Sequence, residues 1–160
     1  MVDIHFFQCR KIEDTLPNLL GKSLERGWRV VVQATREQRL RALDQHLWAH
    51  PPESFLPHGT KADAAPETQP VYLTCAQDNP NSAHVRFFID GAQIAPGLVG
   101  EAAPRVRAVL LFDGENQDEL VDARIQWKEL RDAGHALVYQ LQDESGRWVE
   151  KAREPGERKP

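Results

Sequence analysis

Near the end of the chain, four side chains have types and spacing suited to binding rather than to covalent chemistry. Arg124, Trp127, Lys128 and Arg131 fall at i, i+3, i+4 and i+7, so a helix presents all four on one face. A guanidinium holds a carboxylate or a phosphate through two parallel hydrogen bonds. An indole beside it offers a flat apolar surface to a ring or a base. Leu120 opens the same stripe. The combination suits an acidic peptide with an apolar anchor, or phosphates with stacked bases. It also describes a solvated helix face on which Trp127 is covered by its neighbours, so the stripe alone decides nothing.

A second group of aromatics lies in LDQHLWAHPPESFLPHG, Leu43 to Gly59. A helix carrying Trp48 runs into Pro51-Pro52, and Phe55 and Pro57 follow in a rigid loop. Large aromatics beside a stiff turn lose little freedom on docking a partner. No nucleophile with an adjacent base lies nearby.

Catalytic signatures are missing. There is no GxxxxGK[ST], no GxGxxG after the first strand and no GxSxG. His46 and His50 are i,i+4, but no HExxH glutamate lies between them, and a third ligand would have to be His58 or Glu53. They read as surface or locally hydrogen-bonded histidines, and no metal or cofactor is expected. Asp113, Glu115, Asp118 and Glu119 gather at the start of a helix, where they complement its dipole without catalysis. Gly97 to Gly100 reads GLVG but lacks the flanking helices of a nucleic-acid-clamping loop. The chain is therefore expected not to be an enzyme.

Composition narrows the partners. The 20 Lys and Arg against 24 Asp and Glu leave a net charge of −4, whereas a dedicated nucleic-acid binder is usually basic. Cys9 and Cys75 belong to no CxxC and read as small strand-end thiols, not as a zinc site or a disulfide. The N-terminus is too short and polar for a signal peptide, and no run reaches the ~18 apolar residues of a membrane span. A cytoplasmic protein without membrane contact is expected.

The elements that must position these groups follow from periodicity. Val2 to Gln8 reads as a strand, and Pro17 suits the first turn of a helix running to about Arg26. Arg29 to Ala34 is a continuous apolar run, as in a buried parallel strand. Arg36 to about Ala49 is a helix with Leu40, Leu43 and Leu47 on one face. A polar loop is expected over Gly59 to Gln69, and strands over Val71 to Cys75 and Val85 to Ile89. Residues 91–105 read as a loop with room for one helical turn, and Val106 to Phe112 as a buried strand. The longest helix spans Asn116 to Ala133, closed by Gly134, and Ala136 to Leu141 is a strand. Arg147 to Val149 can add an edge strand, and Lys151 to Pro160 is charged enough to be disordered. The expected fold class is α/β: one three-layer domain over residues 1–142, with a mixed, mostly parallel sheet flanked by helices. It has the outline of a nucleotide-binding fold without a phosphate loop. Residues 143–160 form a C-terminal extension.

The Leu43 to Gly59 segment closely resembles the chi subunit family of bacterial DNA polymerase III holoenzyme. The likeness rests on the ordered string L-D-x-x-L-W-A-x-P-x-E-S-F-x-P-H and on a late long helix ending in R-x-A-G, Arg131 to Gly134. It covers about Val2 to Leu141. The resemblance implies a non-catalytic accessory subunit of the clamp loader in DNA replication. Chi-like subunits bind the acidic C-terminal tail of single-stranded DNA-binding protein, and the psi subunit tethers them to the clamp loader. They have also been linked to a repair helicase. By this resemblance Trp48 and Phe55 fall on aromatics of the tail-binding pocket, and Arg124, Trp127 and Lys128 on positions of its helix. Position 120 departs, with leucine where the family can carry lysine. The implied tail ends in acidic residues, then Ile-Pro-Phe and a free carboxylate. Its ring would enter a slot lined by Trp48, Phe55 and Trp127. Arg124 would take the carboxylate, and Lys128 and Arg131 the aspartates. Trp48 and Phe55 are then expected to face Arg124 and Trp127 across one pocket. The alternative is direct binding of single-stranded DNA, or a repair-helicase partner.

Overall fold

The computed structural model describes residues 2–48, 57–60 and 65–156, with Trp48 described through its backbone alone. The described elements run β1 (Asp3–Cys9), α1 (Ile12–Glu25), β2 (Val30–Gln33), α2 (Glu37–Trp48), β3 (His58–Thr60), β4 (Val71–Thr74), β5 (Val85–Phe88), β6 (Arg107–Asp113), α3 (Gln117–Asp132), β7 (Ala136–Gln142) and β8 (Trp148–Pro155). The strands form one sheet in the order β3-β4-β2-β5-β6-β1-β7-β8. Each neighbouring pair is parallel except β7 with β8. The expected α/β fold with a mixed, mostly parallel sheet is therefore present.

Burial follows the layers. β2, β4 and β5 are covered on both faces, which is why they read as unbroken apolar runs. Alternate residues of β6 enter two different cores. Val109 and Leu111 pack with Leu16 and Leu20 of α1 and Leu40, Leu43 and Leu47 of α2. Ala108, Leu110 and Phe112 pack with Ala123 and Leu130 of α3. Side chains alternate along a strand, so α1 and α2 cover one face and α3 covers the other. Crossover handedness explains the split. From β1 to β2 and from β2 to β3 the chain moves toward one edge of the sheet, but from β6 to β7 it moves toward the opposite edge. Right-handed connections moving in opposite directions place their helices on opposite faces.

Three local expectations need correction. Helix α1 begins at Ile12, so Pro17 sits inside it rather than at its first turn. A proline has no N–H, which leaves the Glu13 carbonyl without its helical donor. His46 of α2 fills that place: its Nε2 lies 2.8 Å from the Glu13 oxygen. The polar stretch after Pro57 is not wholly loop, because β3 pairs there in parallel with β4. His58 is buried and sits 3.0 Å from Asp44, which ties β3 to α2. Two of the candidate metal histidines thus bind protein groups. His50 and Glu53 lie outside the described residues, and no metal-holding cluster exists among those described. Finally, Lys151 to Pro155 are not a disordered tail but most of β8, antiparallel to β7. Among the described residues no helix is long and apolar enough to cross a membrane.

Cys9 and Cys75 form no disulfide. Cys9 is buried at the end of β1, and burial pushes its thiol up to about 12.

Arg86 on β5 is completely buried. Its guanidinium donates to Gln33 Oε1 at 2.9 and 2.8 Å and to the carbonyls of Asp78 and Ala76 at 2.8 Å each. Burial pulls its pKa down to about 10. The side chain pins the loop after β4 to the sheet. Arg86→Leu is expected to lower unfolding free energy by about 3 kcal/mol, since it strands those carbonyls without a donor. Urea unfolding measures this; a midpoint equal to that of the unaltered chain would remove the role.

Candidate functional site

Helix α3 is fixed at both ends by local sequence. The Asn116 side chain caps its start by accepting from the Glu119 N–H at 3.2 Å, with Asp118 and Glu119 in the first turn. Gly134 leaves the helix at φ +91°, a conformation that suits glycine. The rotation of α3 about its axis is set by Ala123, Gln126 and Leu130, all buried. Gln126 makes the strongest tie. It accepts from the Ile94 N–H at 2.9 Å and donates to the Ala92 carbonyl at 3.1 Å and to Asp122 at 2.8 Å. With that face turned down, the stripe from Leu120 to Arg131 is turned toward β7 and β8.

The stripe lines a groove of ≈ 560 Å³ between α3 and the edge of the sheet. Its floor is aromatic. The Trp127 ring meets Phe6 edge-to-face at 5.2 Å and Tyr139 at 5.8 Å. Tyr139 in turn stacks on Phe6 at 6.5 Å and donates its hydroxyl hydrogen to Gln8. Trp127 is half-buried, so it is both part of the core and a wall of the groove. The rim is cationic, formed by Arg124, Lys128 and Arg131 from α3 and Lys151 from β8. Arg124 and Lys128 are exposed and, among the described residues, neither is held in a hydrogen bond or an ion pair. Among the described residues Arg131 is paired with its neighbour Asp132, at 3.4 Å. Burial raises the Tyr139 phenol above its usual range, and the nearby Arg124 charge opposes that shift. An unengaged guanidinium therefore stands next to an aromatic floor.

The structure brings Arg124, Trp127, Lys128 and Arg131 together as the helical spacing requires. It does not bring α2 to them. The helix that ends at Trp48 packs against α1 on the opposite face of the sheet from α3. The expectation of one pocket with Trp48 and Phe55 facing Arg124 and Trp127 rests on side chains beyond the described part of that helix. The Trp48 side chain and Phe55 lie outside the described residues. Sequence reasoning missed Gln8, Tyr139, Lys151 and Ala152, all of which line the groove. Strand alternation could have put Tyr139 on the face of Leu137, but nothing local says that β1 lies beside β7. Lys151 was hidden because its segment reads as a charged tail.

Wall and rim should separate in stability measurements. Trp127→Ala removes packing against Phe6 and Tyr139 and should cost about 2–3 kcal/mol. Arg124→Ala touches no such packing and should stay within about 0.5 kcal/mol. Urea unfolding of both variants checks this, and an equal loss in the two would contradict the division of labour.

The chain matches the model of the family described as DNA polymerase III chi subunit, HolC, over residues 1–138. It is also similar to the probable DNA polymerase III subunit chi of Rickettsia prowazekii (strain Madrid E), with 32% identity over 106 residues. That alignment takes in 64% of this chain and 64% of the relative, a little under two-thirds of the relative's length. The matched residues contain all of α3 and both sides of the aromatic floor at Phe6 and Trp127, whereas β8 begins ten residues beyond them. On a family match over most of its length, this chain belongs to the DNA polymerase III chi subunit family.

Proposed function

We propose that this protein is a non-catalytic accessory subunit that binds the acidic C-terminal tail of single-stranded DNA-binding protein in the α3 groove. The observation that carries this reading is the pairing of uncommitted Arg124 and Lys128 with the apolar floor made by Trp127 and Tyr139. A tail ending in a phenyl ring and a free carboxylate has the complementary parts. The ring fills the slot, the carboxylate takes the planar fork of Arg124, and the preceding aspartates meet Lys128 and Arg131. An overall charge of −4 does not prevent this, because the field that acts on the tail is local. Exposed cations mainly speed association and are screened by salt.

In the same reading the subunit links that tail to the clamp loader in the cytoplasm through the psi subunit. A linker has to hold two partners at once, so the second surface must lie off the α3 groove. The opposite face, where α2 ends at Trp48, meets that requirement. Direct binding of single-stranded DNA is less favoured, because a half-buried Trp127 set in a floor is a poor platform for successive stacked bases.

Fluorescence anisotropy with a labelled tail peptide tests the reading. Arg124→Ala should weaken binding by about 2 kcal/mol, roughly thirtyfold. Amidating the terminal carboxylate of the peptide should weaken binding in the same direction. If neither change moves the affinity, Arg124 does not hold the carboxylate.

A further inference from the structure

Strand β8 pairs with β7 in a register that skips one residue. Tyr139 lies opposite Ala152 and Gln140 lies opposite Glu150, so Lys151 is the extra residue of a β-bulge. The faces can be followed on either side of it. Leu137 and Tyr139 belong to the core under α3, while Gln140 lines the cavity on the α1 side with His5, Phe7 and Trp148. Before the bulge, Trp148 packs on Phe7 at 4.9 Å on the α1 side. Val149 is therefore on the α3 side, Glu150 on the α1 side and Lys151 on the α3 side. After the bulge Ala152, opposite Tyr139, is again on the α3 side, and Arg153 points to the α1 side, where its charge acts on His5.

Two successive residues, Lys151 and Ala152, thus share the α3 face, and both line the groove. Uninterrupted pairing would have put Lys151 itself opposite Tyr139 and sent Ala152 to the other face, opposite Val138. The bulge instead places the smallest side chain of the segment opposite the aromatic floor, with a cation beside it. Position 120 of α3, at the same groove, offers leucine and no charge.

From this geometry we propose that the β8 bulge builds the second wall of the groove, Lys151 supplying a charge contact to an acidic peptide and Ala152 keeping the Tyr139 slot open. This rests on the peptide-binding reading of the groove and adds a wall that lies outside the family match over residues 1–138. The ligand class is an acidic peptide ending in an aromatic residue with a free carboxylate. Lys151 gives the charge contact on the side of the groove away from α3, so the peptide is held between two elements rather than laid along one helix.

The test is an anisotropy titration of the full chain against a labelled peptide of aspartates followed by Ile-Pro-Phe, at low and high salt. Lys151→Ala should weaken binding about three- to fivefold, the scale of one exposed charge contact, and flatten the salt dependence. Ala152→Leu should weaken it about tenfold or more by filling the slot. Arg153→Ala, on the other face, should bind like the unaltered chain. Affinities unchanged in both Lys151→Ala and Ala152→Leu, alongside a loss in Arg124→Ala, would overturn the second wall and leave the α3 reading standing. No binding by the unaltered chain would overturn both.

Discussion

The groove depends on one placement: β1 lies between β6 and β7, in parallel with both. That position puts Phe6 at the centre of the face that α3 covers, where it touches both Trp127 and Tyr139. It also reverses the direction in which the chain crosses the sheet. The helices before β3 are sent to one face, and the only described α-helix after it is sent to the other. A different neighbour for β1 would leave Trp127 without its floor and the cations of α3 without an apolar slot beside them.

Around that placement the polar groups are disposed according to need. Where the backbone would otherwise be left unpaired, a side chain completes it. Gln126 satisfies the loop at Ala92 and Ile94, Arg86 satisfies the carbonyls after β4, and His46 meets the carbonyl that Pro17 leaves free. On the groove rim the logic is the opposite. Arg124 and Lys128 have no bonded partner among the described residues and remain in water, where holding a charge costs little. The folded chain therefore keeps its directional donors uncommitted at one surface only a side chain away from its core. Such a surface suits recognition of a carboxylate, which loses water on binding and needs a donor not already engaged.

Much of this was legible in the chain. The apolar run from Arg29 to Ala34, the Leu40, Leu43, Leu47 face and the capped stretch from Asn116 to Gly134 each have a local cause, and each appears as the expected element. The grouping of Arg124, Trp127, Lys128 and Arg131 is also local, because it needs only helical periodicity. Three features resisted. Pro17 reads as a helix start, since proline prefers the first turn; here His46, thirty-three residues from Glu13 in sequence, offsets the lost bond at the Glu13 carbonyl. The short β3 was hidden in polar residues, as its stability comes from pairing with β4 and from the buried His58. The segment from Lys151 has the charge of a disordered tail, but β7 supplies a free edge on which it pairs.

The sequence by itself determined the α/β class, the helices and central strands, and the cationic-aromatic stripe, because helical and strand periods act over a few residues. Only the tertiary structure decided which face of the sheet the stripe would share, and with whom. Strand order and crossover direction put α3 over Phe6 and Tyr139 and sent α2, with Trp48 at its end, to the other side. A single skipped residue in the β7–β8 ladder then turned Lys151 and Ala152 together toward the groove. Neither outcome has a local signal, since both are fixed by which strands pair and in what register.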